Sequence, residues 1–144
     1  MKVHLLIVDD EADIRDAVAR HFRLSGYDAD TAENGRQALE MLENHRYDVV
    51  ISDIIMPEMN GPDLLRAIRE QYPMIHVVMM TGHVELENVL TCMRRGADTC
   101  IFKPFRDFQE LDAAVIRAVE AIQRWLQIMH KLTGKDMEEV GRMP

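Results

Sequence analysis

Short apolar runs alternate with amphipathic stretches along most of this chain, and that alternation restricts its fold more than any other feature. His4–Val8, Val49–Ile51, Ile75–Met80 and Thr99–Phe102 are too short for helices and rich in β-branched or large apolar residues, so they read as strands. Tyr27–Thr31 is a weaker strand candidate. Between the strands, Ile14, Ala17, Val18 and Phe22 repeat at helical spacing, and Ser25-Gly26 stops that helix. Ala38, Leu39 and Leu42 mark a second helix after the Asn34-Gly35 turn. Leu64, Leu65 and Ile68 mark a third, which opens at Met59-Asn60-Gly61-Pro62 and ends before Pro73. Leu86, Val89, Leu90 and Met93 give a fourth helix, closed at Gly96. A fifth starts near Asp107.

Strict strand–helix alternation implies an α/β protein, with a parallel sheet covered by helices on both faces. Right-handed crossovers leave few topologies. In such sheets the ligand crevice lies outside the carboxyl ends of the strands. Polar residues stand at those ends: Asp9 and Asp10 after the first strand, Asp53 after the third, Thr81 after the fourth and Lys103 after the fifth. Taken singly, each reads as an ordinary turn residue. Together they converge on one rim.

Composition excludes several other classes. The chain has 144 residues, enough for one domain with a core, and 47% are hydrophobic. A net charge of −8 argues against a nucleic-acid-binding surface. Arg94-Arg95 is expected on a solvated helix face. Cys92 and Cys100 make no disulfide framework and read as small apolar residues in a reducing compartment. No leader pattern and no apolar stretch of about 20 residues is visible, so a cytoplasmic, membrane-free protein is expected.

The rim residues also define a chemistry. Three carboxylates at close range repel one another, and Lys103 supplies a single balancing charge. Oxygen ligands without Cys or His favour Mg²⁺, which keeps waters and takes phosphate oxygens. Thr81 offers a hydroxyl and Lys103 a point charge to the same oxygens. One of the carboxylates is a candidate nucleophile, giving an aspartyl-phosphate. No Gly-x-x-x-x-Gly-Lys-Ser/Thr loop accompanies the set, so a nucleotide cradle is not supported.

Val8-Asp9-Asp10, Asp53-Ile54-Ile55-Met56-Pro57, Thr81-Gly82 and Lys103-Pro104-Phe105 together resemble the receiver domain of response regulators in two-component signalling. The resemblance covers about residues 3–123. It implies a flavodoxin-like, doubly wound five-stranded parallel sheet in order 2-1-3-4-5, with five helices. It implies that Asp53 accepts a phosphoryl group from a histidine kinase or phosphotransfer protein. It implies Mg²⁺ on Asp10, Asp53 and the Ile55 backbone carbonyl, with Asp9 acting through water. Lys103 would hold phosphoryl oxygens beside a cis bond to Pro104. Thr81 would turn inward and so bias the face formed by helix four, strand five and helix five. Such a domain is a phosphoacceptor rather than an enzyme acting on separate substrates.

This sequence departs from the family pattern at Cys100, where an aromatic usually stands. Phe102 is expected on the opposite side of the strand. Two positions that tune phosphoryl lifetime are held by Ile55 and His83. Apolar Ile55 predicts slow dephosphorylation, and His83 is expected to be a solvent-facing loop residue. Two other functions compete. An aspartyl-phosphate hydrolase would carry an acid–base Asp where Ile55 stands, together with a cap insertion. A phosphate-independent dimerisation module would not use the rim at all.

The last helix is expected to run long. Leu111, Val115, Ala118, Ile122, Trp125, Met129 and Leu132 follow a heptad seam. Residues 1–123 are therefore assigned to the receiver. Residues 124–144 are assigned to a helical extension and tail, a candidate homodimer element or a link to an effector whose identity the sequence does not give.

Overall fold

The computed structural model describes residues 2–82 and 85–134. Its elements are β1 (His4–Val8), α1 (Ala12–Leu24), β2 (Asp28–Ala32), α2 (Gly35–Asn44), β3 (Val49–Asp53), α3 (Gly61–Gln71), β4 (His76–Thr81), α4 (Leu86–Arg94), β5 (Thr99–Phe102) and α5 (Gln109–Thr133). The strands form one parallel sheet in the order β2-β1-β3-β4-β5. This is the doubly wound, flavodoxin-like architecture expected from the sequence.

Each side chain's parity on its strand decides which layer it joins. Leu5, Ile7, Val49, Ile51, Val78, Met80 and Ile101 pack with Val18 and Phe22 of α1 and Leu111, Val115 and Ala118 of α5. Leu6, Val8, Val50, Val77 and Met79 face the other way, onto Ala38 and Leu42 of α2 and Leu64, Leu65 and Ile68 of α3. Both faces of β1, β3 and β4 are thus buried, which explains why those strands read as unbroken apolar runs.

Local signals set the helix starts. Asn34 Oδ1 accepts from Gln37 N at 2.9 Å and Asn60 Oδ1 from Asp63 N at 3.0 Å, so both asparagines cap the helices that follow. Gly61 has a stricter role. A Cβ there would lie 2.3 Å from the Asp53 carbonyl oxygen, so only glycine lets the start of α3 close against the end of β3.

Several details differ from the sequence reading. β2 lies at Asp28–Ala32, one residue later than expected, and α5 begins at Gln109 rather than near Asp107. In α1 it is Ala19, not Ala17, that is buried beside Val18 and Phe22. In α4 the expected apolar face is largely open. Leu86 and Met93 are exposed, and Cys92 is the buried residue of the helix. The short β5 at the sheet edge gives α4 too little surface to cover. Arg95 is not simply solvated: it follows α4 and donates to the Pro62 carbonyl at 2.8 Å. Phe102 shares the parity of Cys100, not the opposite one, because residues two apart on a strand face the same way. Ile101 is the β5 residue buried towards α5, Cys100 packs towards Cys92, and Phe102 is exposed.

α5 runs unbroken through residue 124 to Thr133 and is capped by Gly134 in the left-handed region. No described helix is long and apolar enough to cross a membrane.

Candidate functional site

The strand register brings the polar ends together. Val8 pairs with Ser52, Asp53 with Met80, and Thr81 with Phe102, so residues 9, 53, 81 and 103 all end at one edge of the sheet. Asp9 N still donates to Ala32 O at 3.1 Å, which prolongs the ladder by one residue and turns the Asp9 side chain inward. Asp9 and Thr81 are fully buried and Asp53 nearly so, while Asp10 is exposed.

Lys103 joins the strand ends. Its Nζ donates to Asp9 Oδ2 at 2.7 Å, to Asp53 Oδ2 at 3.2 Å and to Glu11 Oε1 at 3.4 Å. The peptide bond from Lys103 to Pro104 is cis, and Lys103 N donates to Thr81 O at 2.8 Å. The other oxygens of the two buried carboxylates meet backbone amides: Asp9 Oδ1 accepts from Glu11 N at 2.9 Å and Asp53 Oδ1 from Ile54 N at 2.8 Å. These amides and Lys103 stabilise negative charge at the rim.

The charge is still not balanced. Burial is the main reason the Asp53 carboxyl lies above its ordinary value; the neighbouring Asp9 adds to the rise, and Lys103 opposes it. Burial works against the Lys103 ammonium, yet its bonds and proximity to Asp9 and Asp53 outweigh that and hold it above its ordinary range. One ammonium thus serves two buried carboxylates with a third, Asp10, alongside. Among the described residues, Asp9, Asp10 and Asp53 present oxygens that all lie within 4.8 Å of one another. A set of carboxylate oxygens with no imidazole or thiolate suits a hard divalent cation such as Mg²⁺.

Residues 5–116 match the response regulator receiver domain. The chain belongs to the response-regulator receiver domain family. It is 37% identical over 126 residues to the regulatory protein AtoC of Escherichia coli, covering 88% of this chain but 27% of AtoC. Among solved structures, a CheY-like receiver domain from Methanospirillum hungatei superposes with a TM-score of 0.82 at 27% identity, covering 86% of this chain and 98% of that one. The response regulator TrrA of Thermotoga maritima, solved with Mg²⁺ and BeF, superposes with a TM-score of 0.73 at 34% identity, covering 82% and 99%. This receiver spans less than half the length of the curated relatives it matches.

In this receiver the structure brings Asp9, Asp10, Asp53 and Lys103 together and ends β4 on Thr81 beside them. Ile55, two residues past Asp53, is exposed on the rim. His83 lies outside the described residues. The Glu11 carboxylate reaches Lys103 as well. Sequence reasoning missed Arg15, whose guanidinium donates to the Asp9 carbonyl at 3.0 Å, and Ser52, whose hydroxyl donates to the Asp53 carbonyl at 2.9 Å. The one available signal for Ser52 was a hydroxyl inside an otherwise apolar strand.

Proposed function

We propose that this receiver takes a phosphoryl group on Asp53 from the phosphohistidine of a histidine kinase or phosphotransfer protein. A carboxylate oxygen of Asp53 forms the new P–O bond as the P–N bond of the donor breaks, and the donor imidazole leaves. The observation that carries this reading is the single Lys103 ammonium shared by buried Asp9 and Asp53. The arrangement keeps Asp53 partly compensated but still short of positive charge. Incoming phosphoryl oxygens would meet the same ammonium, with the Thr81 hydroxyl at the adjacent strand end.

Mg²⁺ would be held by Asp10, Asp53 and the Ile55 backbone carbonyl, with Asp9 acting through water. Bound there, it would neutralise carboxylate and phosphoryl charge. Thr81, turned towards the new group, would alter the face made by α4, β5 and α5. That face is loosely built: Leu86, Met93 and Phe102 are exposed, and Cys100 fills the place of an aromatic. The readout therefore runs through shifts of α4 and its preceding loop rather than through an aromatic flip. The partner on that face is an effector protein or a further domain. The domain works in the cytoplasm as a phosphoacceptor, and residues 124–133 extend its last helix. Exposed, apolar Ile55 disfavours a water poised to attack the acyl phosphate, so the modified form decays slowly.

Incubation with acetyl phosphate and Mg²⁺, followed by intact-mass measurement, tests the reading. Stoichiometric modification, absent in Asp53→Asn, is expected. Multiple turnover of the phosphodonor would point to a hydrolase, and no modification to a phosphate-independent module. An autodephosphorylation half-life of seconds would count against the role given to Ile55.

A further inference from the structure

Glu11 occupies the N-cap position of α1, yet its side chain makes no cap bond to the helix. Asp, Asn, Ser or Thr at such a position would accept from an amide of the first turn. Glu11 is turned to the rim instead. Its N–H donates to Asp9 Oδ1 at 2.9 Å, and its carboxylate accepts from Lys103 Nζ at 3.4 Å. An ammonium has three donor hydrogens. With Asp9 at 2.7 Å, Asp53 at 3.2 Å and Glu11 at 3.4 Å, all three are committed. A phosphoryl oxygen arriving at Asp53 therefore finds no free donor on Lys103 until one carboxylate lets go.

We propose that Glu11 is the carboxylate that yields: it holds the third donor of Lys103 in the unmodified chain, releases it to the incoming phosphoryl oxygen, and so sets how readily Asp53 is modified. The three partners are not equal. Asp9 is fully buried and holds the shortest bond, so releasing it would strand an unpaired charge. Asp53 needs its compensation until its own oxygen joins phosphorus. The Glu11 side chain is 60% exposed and the most distant of the three, so water takes it up once it is released. Glu11 also stands outside the set of close oxygens on Asp9, Asp10 and Asp53. A divalent cation on that set leaves the Glu11–Lys103 contact for the phosphoryl group to break. A bond present before transfer and absent in the transition state slows the transfer by its own strength. Glu11 thus acts through Lys103 as a mild brake, graded to the weakness of an exposed ion pair. The inference rests on the reading of Asp53 as the phosphoacceptor.

Two variants of the full chain separate reach from charge. Glu11→Asp keeps the charge but is one methylene shorter, and an Asp at this N-cap turns back to the amides of α1. Glu11→Gln keeps the length and removes the charge. The substrate is acetyl phosphate with Mg²⁺, from which Asp53 takes the phosphoryl group as acetate leaves. Intact mass followed against time should show both variants modified about two- to fivefold faster than the unaltered chain. Beryllofluoride with Mg²⁺, titrated by calorimetry, should bind both variants more tightly by a similar factor. Glu11→Asp decides. If it is modified no faster than the unaltered chain, the proposal is overturned whatever Glu11→Gln does, and Asp53 remains the phosphoacceptor. A faster rate without tighter beryllofluoride overturns it too, since the gain would not come through the phosphoryl site. If the unaltered chain takes no phosphoryl group at all, the reading of Asp53 fails and this inference falls with it.

Discussion

The two ends of the sheet handle charge in opposite ways. At the carboxyl end, Asp9 and Asp53 share one ammonium, and a third carboxylate, Asp10, stands beside them. At the amino end, Arg69 is spent on backbone. It donates to Ile75 O at 2.6 Å and to Gly96 O at 2.7 Å and 3.2 Å, while its neighbour Asp98 meets His76 Nδ1 at 2.5 Å. Burial lowers the Arg69 guanidinium from its ordinary value, and the nearby Asp98 opposes this. The base cluster closes on itself and ties the end of α3 to the loops before β4 and β5. The rim cluster stays open, short of positive charge. That deficit suits a hard cation, whereas a self-satisfied cluster acts as a fastening.

Removing the central cation from each end should separate these roles, and the rim should show the larger effect. Lys103→Met leaves two buried carboxylates facing each other without compensation. A loss of about 3–5 kcal/mol in urea denaturation is expected. Millimolar Mg²⁺ should return part of it, since an ion that binds the folded chain stabilises it by mass action. A loss that Mg²⁺ does not touch would break the comparison. Asp53→Asn should move the other way and stabilise the ion-free fold, because it removes a carboxylate that burial already disfavours.

At the base, Arg69→Met removes donors from the Ile75 and Gly96 carbonyls. Each carbonyl left short of a partner weakens the loops, and about 1–3 kcal/mol is expected in the same assay. Modification of Asp53 by acetyl phosphate should be unchanged in extent. An Arg69 variant that folds normally but fails to accept phosphate would show that the two ends are coupled.

The rim was legible in the sequence because it depends on strand ends. Apolar runs mark the strands, parallel pairing aligns their termini, and the residue after each run then lies on the edge. The base was not legible. Arg69 reaches Gly96 across 27 residues and His76 reaches Asp98 across 22, and no periodicity announces such pairs. α4 misled for another reason. Its amphipathic pattern is real, but a helix buries its apolar face only if the layer beneath is wide enough. Here that layer is Cys92 against the edge of the sheet, and Leu86 and Met93 remain outside. Asp9 and Asp10 both follow the β1 run in sequence, and the family resemblance alone gave them different roles. One further rung of the ladder, Asp9 N to Ala32 O, separates a buried carboxylate from an exposed one.

α4 therefore lies between the two regimes, beside the rim yet held mainly by Cys92, and its attachment gives the smallest effect. Burial, with the neighbouring Cys100, pushes the Cys92 thiol from its ordinary 9.0 up to about 11, and Arg95 opposes the shift. The folded chain thus retains the thiol proton at pH values where the unfolded chain releases it. The resulting stability is complete below pH 9 and falls as pH rises towards 11. Nothing should change near neutrality. In Cys92→Ala that alkaline slope should flatten, at the expense of about 1 kcal/mol for the lost sulfur contacts. Hydrogen exchange should report the same loosening in α4 ahead of α3, whose Leu64, Leu65 and Ile68 remain buried. Equal protection of α3 and α4 in Cys92→Ala would show that α4 is fastened elsewhere. The rim would then be as firmly framed as the base.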